Sequence, residues 1–186
     1  MKDKIFIDDY LERYKKALLH TDVSETMIAA KTLLLKTQQN GKKVIVVGNG
    51  GSAAMASHVS VDLTKQARVR TMNFNEADLI TCFANDYGYK NWVAKAIEFY
   101  GDEGDVVILI SSSGKSPNMI NAAIQAKSMN ITVITLTGFE QDNPLRESGE
   151  LNFWLDSRAY NIIENTHQIW LLMVCDLIIG EIEYSA

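Results

Sequence analysis

Two cysteines in 186 residues, Cys82 and Cys175, are too few and too far apart for a disulfide framework. Each lies in an apolar run, Ile80-Thr81-Cys82-Phe83 and Met173-Val174-Cys175, the setting of a small buried side chain in a protein of the reducing cytoplasm. Basic charge is also short. Eighteen Lys and Arg against 23 Asp and Glu give a formal net charge of −5, with no basic block to neutralise a phosphate backbone, so no nucleic-acid partner is expected. No segment approaches the roughly 18 apolar residues of a membrane span. The N-terminus, Met1-Lys2-Asp3-Lys4-Ile5, is charged with no apolar stretch after it, so a soluble chain without a membrane partner is expected. Neither a GxGxxG pattern nor a GxxxxGK[ST] loop is present, which disfavours nucleotide binding.

At 47% hydrophobic, the chain has enough apolar material for one sizeable core, and residues 1–186 read as one domain. Residues 1–40 read as two helices. Ile5, Tyr10, Leu11, Tyr14 and Leu18 recur at helical spacing, and Asp22 or Ser24 caps a second run through Ile28 and Leu33 to Leu35. Residues 41–186 form the rest of the core. Apolar, β-branched runs at 43–47, 105–110 and 131–136 suit strands covered on both faces, with a last strand at 151–155. Helices are expected over 52–65, 92–100 and from Pro117 to about Met129, with Ser116 at the cap, and residues 138–149 read as a polar loop. The stretch 78–82 fits either a buried strand or a helix start. A long closing helix runs from about Tyr160 to Glu183, apolar around much of its circumference and covered by the core and another subunit. Strands alternating with helices predict an α/β fold, a mostly parallel sheet doubly wound with helices on both faces in the flavodoxin-like manner. Ligands of such sheets bind beyond the carboxyl ends of the strands.

Two strand-to-helix junctions carry the chemistry. In the loop Gly48-Asn49-Gly50-Gly51-Ser52, glycines let the backbone turn tightly and present N–H groups to an anion. In Ser111-Ser112-Ser113-Gly114-Lys115-Ser116, four hydroxyls offer neutral donors to phosphate oxygens. Together they suit a small sugar phosphate.

These loops, with His58 and the segment Ala84-Asn85-Asp86-Tyr87-Gly88-Tyr89, closely resemble the bacterial phosphoheptose isomerases of the sugar isomerase (SIS) superfamily. The resemblance implies a single SIS domain and a homotetramer with active sites between subunits. It also implies zinc or another divalent metal, and conversion of sedoheptulose 7-phosphate into an aldoheptose 7-phosphate for surface polysaccharide. By position, Ser52, Ser111, Ser113 and Ser116 would hold the phosphate, with Asn49 and Asp86 near the sugar, and Asp62 stands where the family has its glutamate base. Three further positions depart: Gln66 for an arginine, Glu164 for a glutamine and Leu172 for a histidine.

Isomerisation of an aldose and a ketose needs a base beside the carbonyl and an acid for its oxygen. Asp62 is the candidate base and His167, three residues after Glu164, the candidate acid. His58, Asp62 and Glu164 are the candidate metal ligands. Two other readings retain the phosphate loops: an isomerase of another sugar phosphate, and a non-catalytic SIS protein that senses a sugar phosphate or binds a replication initiator.

Overall fold

The computed structural model describes residues 1–184. In chain order the elements are α1 (Lys2–Leu19), α2 (Ser24–Gln39), β1 (Val44–Gly48), α3 (Gly51–Lys65), β2 (Thr71–Met72), α4 (Ala77–Tyr87) and α5 (Trp92–Tyr100). There follow β3 (Val106–Ser111), α6 (Pro117–Ser128), β4 (Thr132–Thr137), α7 (Pro144–Glu147), β5 (Leu151–Trp154) and α8 (Tyr160–Ile179). The five strands form one sheet in the order β2-β1-β3-β4-β5, and every pairing is parallel. This is the doubly wound α/β arrangement expected of the alternating pattern.

Successive side chains of a strand point to opposite faces, so each central strand feeds two cores. Val44, Val46, Ile108 and Ile110 pack with α2, α3 and α8, through Leu34, Val59, Leu63 and Trp170. Ile45, Val47, Val107 and Leu109 pack with α5 and α6, through Trp92, Ile97, Met119 and Ala123. All of β1 and β3 is buried, which explains why their sequences are continuous apolar runs with no alternation.

Several element boundaries differ from the sequence expectation. The ambiguous stretch 78–82 is helical, inside α4, and none of α4 is buried, so it forms no core strand. The polar segment 138–149 contains the single turn α7, capped by the Asn143 side chain, which accepts a hydrogen bond from the Arg146 N–H. α8 stops at Ile179, short of Glu183, because Gly180 takes a left-handed conformation (φ 91°) and returns its N–H to the Asp176 carbonyl at 2.8 Å. α8 is also, among the described residues, a helix long and apolar enough by composition to cross a membrane, contrary to the expectation that no segment comes near. Ile162, Ile163, Trp170, Leu171 and Val174 instead bury it against the sheet and its flanking helices.

Candidate active site

The sheet order makes the site. The chain leaves β1 through α3 towards β2, and leaves β3 through α6 towards β4 on the other side. The carboxyl ends of β1 and β3 therefore lie side by side where the winding reverses, and their two loops diverge over a crevice. Both loops lead into helix N-termini, whose free N–H groups and dipoles favour an anion.

A cavity of about 140 Å³ opens there, lined by Asn49, Ser52, Ile110, Ser111, Ser112, Ser113, Ser116, Tyr160 and Glu164. Ser52, Ser111 and Ser112 are buried. The Ser111 and Ser116 hydroxyls lie 3.0 Å apart, and Ser113 Oγ accepts the Lys115 N–H at 3.2 Å. Ser116 occupies the N-cap of α6 but gives α6 no side-chain hydrogen bond, since its hydroxyl is turned to Ser111 at the cavity. The Ser112 hydroxyl is buried with no partner. An orphaned buried donor is costly unless a partner entering the cavity satisfies it. A larger hollow of about 600 Å³ beside α7, lined by Gln141, Asp142, Arg146, Glu147 and Asn152, lies off the reversal point and has no such convergence of donors.

Gly50 caps α3 and Gly51 begins it. A Cβ on Gly51 would strike the Glu164 carboxylate, so the glycine is what lets that carboxylate close the cavity wall. Glu164 is the one acidic group in the lining, and burial raises its pKa above the ordinary glutamate value.

Two residues that sequence reasoning missed extend the crevice. The amides of Asn49 and Asn118 bond each other reciprocally, at 3.0 and 2.8 Å, and tie the two loops together. Tyr89 donates its hydroxyl to Asn49 Oδ1 at 3.2 Å. With Lys90, Ser116 and Pro117 these residues line a second hollow of about 370 Å³ that shares Asn49 and Ser116 with the first. The buried Asn at the second position of α6, just after Ser116-Pro117, was the available signal.

Other expected site residues lie elsewhere within the chain. Asp86 is exposed on α4, its carboxylate accepting from Asn85 at 2.8 Å, and the segment reaches the crevice through Tyr89 instead. His167 is wholly buried under the sheet, 3.1 Å from the Thr137 carbonyl and 5.8 Å from the Trp170 ring. Burial lowers its pKa to about 4. A neutral imidazole with one nitrogen bonded to a backbone carbonyl and the other sealed in the core has no proton to offer a substrate. The physical reason is rotation: at 100° per residue, His167 lies about 60° from Glu164 on the sheet side, whereas Gln168 lies about 40° away on the α3 side.

Gln168 meets His58, with its Nε2 2.9 Å from His58 Nδ1, while His58 Nε2 lies 3.3 Å from Asp62 Oδ2. The expected metal set is not assembled. Glu164 faces Gly51, both ring nitrogens of His58 have protein neighbours, and no three His, Cys, Asp or Glu side chains converge among the described residues.

The SIS domain family matches residues 9–138. A phosphoheptose isomerase of Fusobacterium nucleatum is 34% identical over 148 residues, covering 77% of this chain and 74% of that protein. One from Campylobacter concisus is 29% identical over 182 residues, covering 94% of this chain and 96% of its own length. The structure of a phosphoheptose isomerase from Francisella tularensis superposes with a TM-score of 0.89 at 26% identity, over 97% of this chain and all of that one.

Proposed function

The chain belongs to the SIS domain family and, within it, to the phosphoheptose isomerases, and from that premise we propose that it interconverts sedoheptulose 7-phosphate and D-glycero-D-manno-heptose 7-phosphate in the cytoplasm. The observation that carries this reading is the cradle of serine hydroxyls and helix N-termini at the reversal point, with a second hollow continuing from it. Ser52, Ser111, Ser112, Ser113 and Ser116 hold the phosphate, and the hollow bounded by Asn49, Tyr89 and Asn118 takes sugar hydroxyls.

In the reaction, a base removes a proton from C1 of the ketose and the electron pair moves into the carbonyl oxygen on C2. Return of the proton to C2, with transfer of the proton on the C1 oxygen to the C2 oxygen, completes the aldose. C1 is oxidised as C2 is reduced, so no external redox cofactor is consumed. Asp62 is the base. It lies about 16 Å along α3 from Gly51, at about 1.5 Å per residue. An extended heptose 7-phosphate spans only roughly 10 Å from phosphorus to C1. We therefore assign Asp62 to a sugar held in the cradle of a neighbouring copy, which fits the homotetramer with sites between subunits that the family resemblance implies. Exposed Val61, Ile169, Met173 and Leu177 on α3 and α8 are apolar surface for that neighbour. Zinc enters no step, because the residues present do not gather its ligands.

The test is turnover of sedoheptulose 7-phosphate by the purified protein, together with exchange of the C1 proton in deuterated water. Aldose formation with exchange that vanishes in Asp62→Asn supports the assignment. Binding of the sugar phosphate without exchange would leave a sugar-phosphate-binding protein and remove the isomerase reading.

A further inference from the structure

The side chains that α8 turns towards α3 follow one another at spacings of four. Glu164 meets Gly51, Gln168 meets His58, and Leu172, one turn on, is apolar and packs on the core. Across from them, His58 and Asp62 are also four apart on α3, so both share a face and their side chains meet at 3.3 Å.

The carboxylate decides the state of the ring. A bare Nε2 lone pair would face the Asp62 oxygen and repel it, so Nε2 carries the proton. In the neutral ring Nδ1 is then an acceptor, and the Gln168 amide, 2.9 Å away, donates to it. A metal-ligating histidine ordinarily gives its other ring N–H to a carboxylate or carbonyl, so the nitrogen opposite Asp62 is the one a metal would need. Here that nitrogen is capped by an amide, and the next residue on the α3-facing side of α8 is a leucine. Asp62 is the one carboxylate beside His58, since Glu164 sits at Gly51 about two turns away along α3, and this falls short of the three or four donors a zinc ion requires.

We propose that in this chain His58 is a positioning residue, fixed by Gln168 so that its N–H holds the Asp62 carboxylate, at a site that takes up no divalent metal. The proposal rests on Asp62 as the isomerase base. Its consequence is that orientation of the base, which elsewhere could come from a bound ion, comes from a chain of three side chains, Gln168 to His58 to Asp62. His58 and Asp62 are half-exposed and partly exposed, so truncating His58 removes the contact without emptying the core.

The experiment has two arms that do not share a readout. In the first, the full-length protein is titrated with Zn²⁺ and with Co²⁺ by calorimetry and visible absorption, and the ring nitrogens of His58 are observed by ¹⁵N NMR. Wild type shows no saturable one-to-one uptake and a single Nε2–H tautomer, whereas Gln168→His frees Nδ1, adds an imidazole and gains uptake. One-to-one uptake by wild type that His58→Ala abolishes would overturn the proposal, as would an Nδ1–H tautomer. In the second arm, His58→Ala lowers kcat by roughly ten- to a hundredfold with KM unchanged, and His58→Gln, which restores an N–H beside Asp62, recovers part of the loss. Equal losses in both variants, or turnover abolished by chelator, would overturn it. If wild type has no turnover at all, the isomerase reading fails while the metal and tautomer results still decide the state of His58.

Discussion

The burial of His167 makes stability depend on pH in a way that one substitution removes. In the folded chain its pKa is lowered to about 4, because burial opposes the charged ring more than the Thr137 carbonyl favours it. In the unfolded chain it titrates near 6.5. Between those values the unfolded state binds a proton that the folded state refuses, so stability rises with pH across that window. Above about 6.5 both states are neutral and the contribution is complete. As pH falls it is lost progressively, and below about 4 both states are charged and nothing further is lost. At 1.36 kcal/mol per pH unit the whole difference is roughly 3 kcal/mol. Urea unfolding of wild type and His167→Gln from pH 4.5 to 8 measures it. The glutamine can still donate to the Thr137 carbonyl but loses the ring contact with Trp170 and buries an amide oxygen, so at pH 8 the variant is less stable by about 1–3 kcal/mol. Towards pH 4.5 the two curves converge or cross, since the variant has no ring to protonate. Carboxylates with shifted titration, such as Asp102 held low by Lys43, are common to both proteins and cancel. A gap between wild type and variant that stays constant from pH 8 to 4.5 would refute the reasoning.

Two further substitutions probe the cradle. Ser112→Ala deletes a buried hydroxyl that has no partner, so it leaves the urea midpoint unchanged or raises it, yet weakens sugar-phosphate binding roughly tenfold to a hundredfold by calorimetry, the value of one hydrogen bond to a charged group. Glu164→Gln removes a negative charge from the wall of a phosphate cavity, so at pH 7.5 it tightens sugar-phosphate binding relative to wild type, and unchanged binding would place the phosphate away from Glu164.

What the sequence made legible depends on how each signal is encoded. The parallel sheet was readable because burial on both faces leaves unbroken runs such as Val44-Ile45-Val46-Val47, and the two loops because glycines and serines at a strand's end have a local cause. α4 was ambiguous because its short apolar run carries no period, and the structure leaves it without a buried residue. The Asn49–Asn118 amide pair joins residues 69 positions apart, a relation that no local pattern records.

The reading of α8 turned on rotation. Spacing alone pairs Glu164 equally well with His167 and with Gln168, and chemical interest favours the histidine. On a helix as apolar as α8, however, the direction of the core is set by Trp170, Leu171 and Val174, and they draw His167 inward with them. Gln168, less conspicuous in the sequence, is left facing α3 beside His58. A polar residue in such a helix is therefore assigned by asking first which side the apolar majority claims. By that rule Glu164 and Gln168 belong to the face towards α3, and His167 belongs to the core.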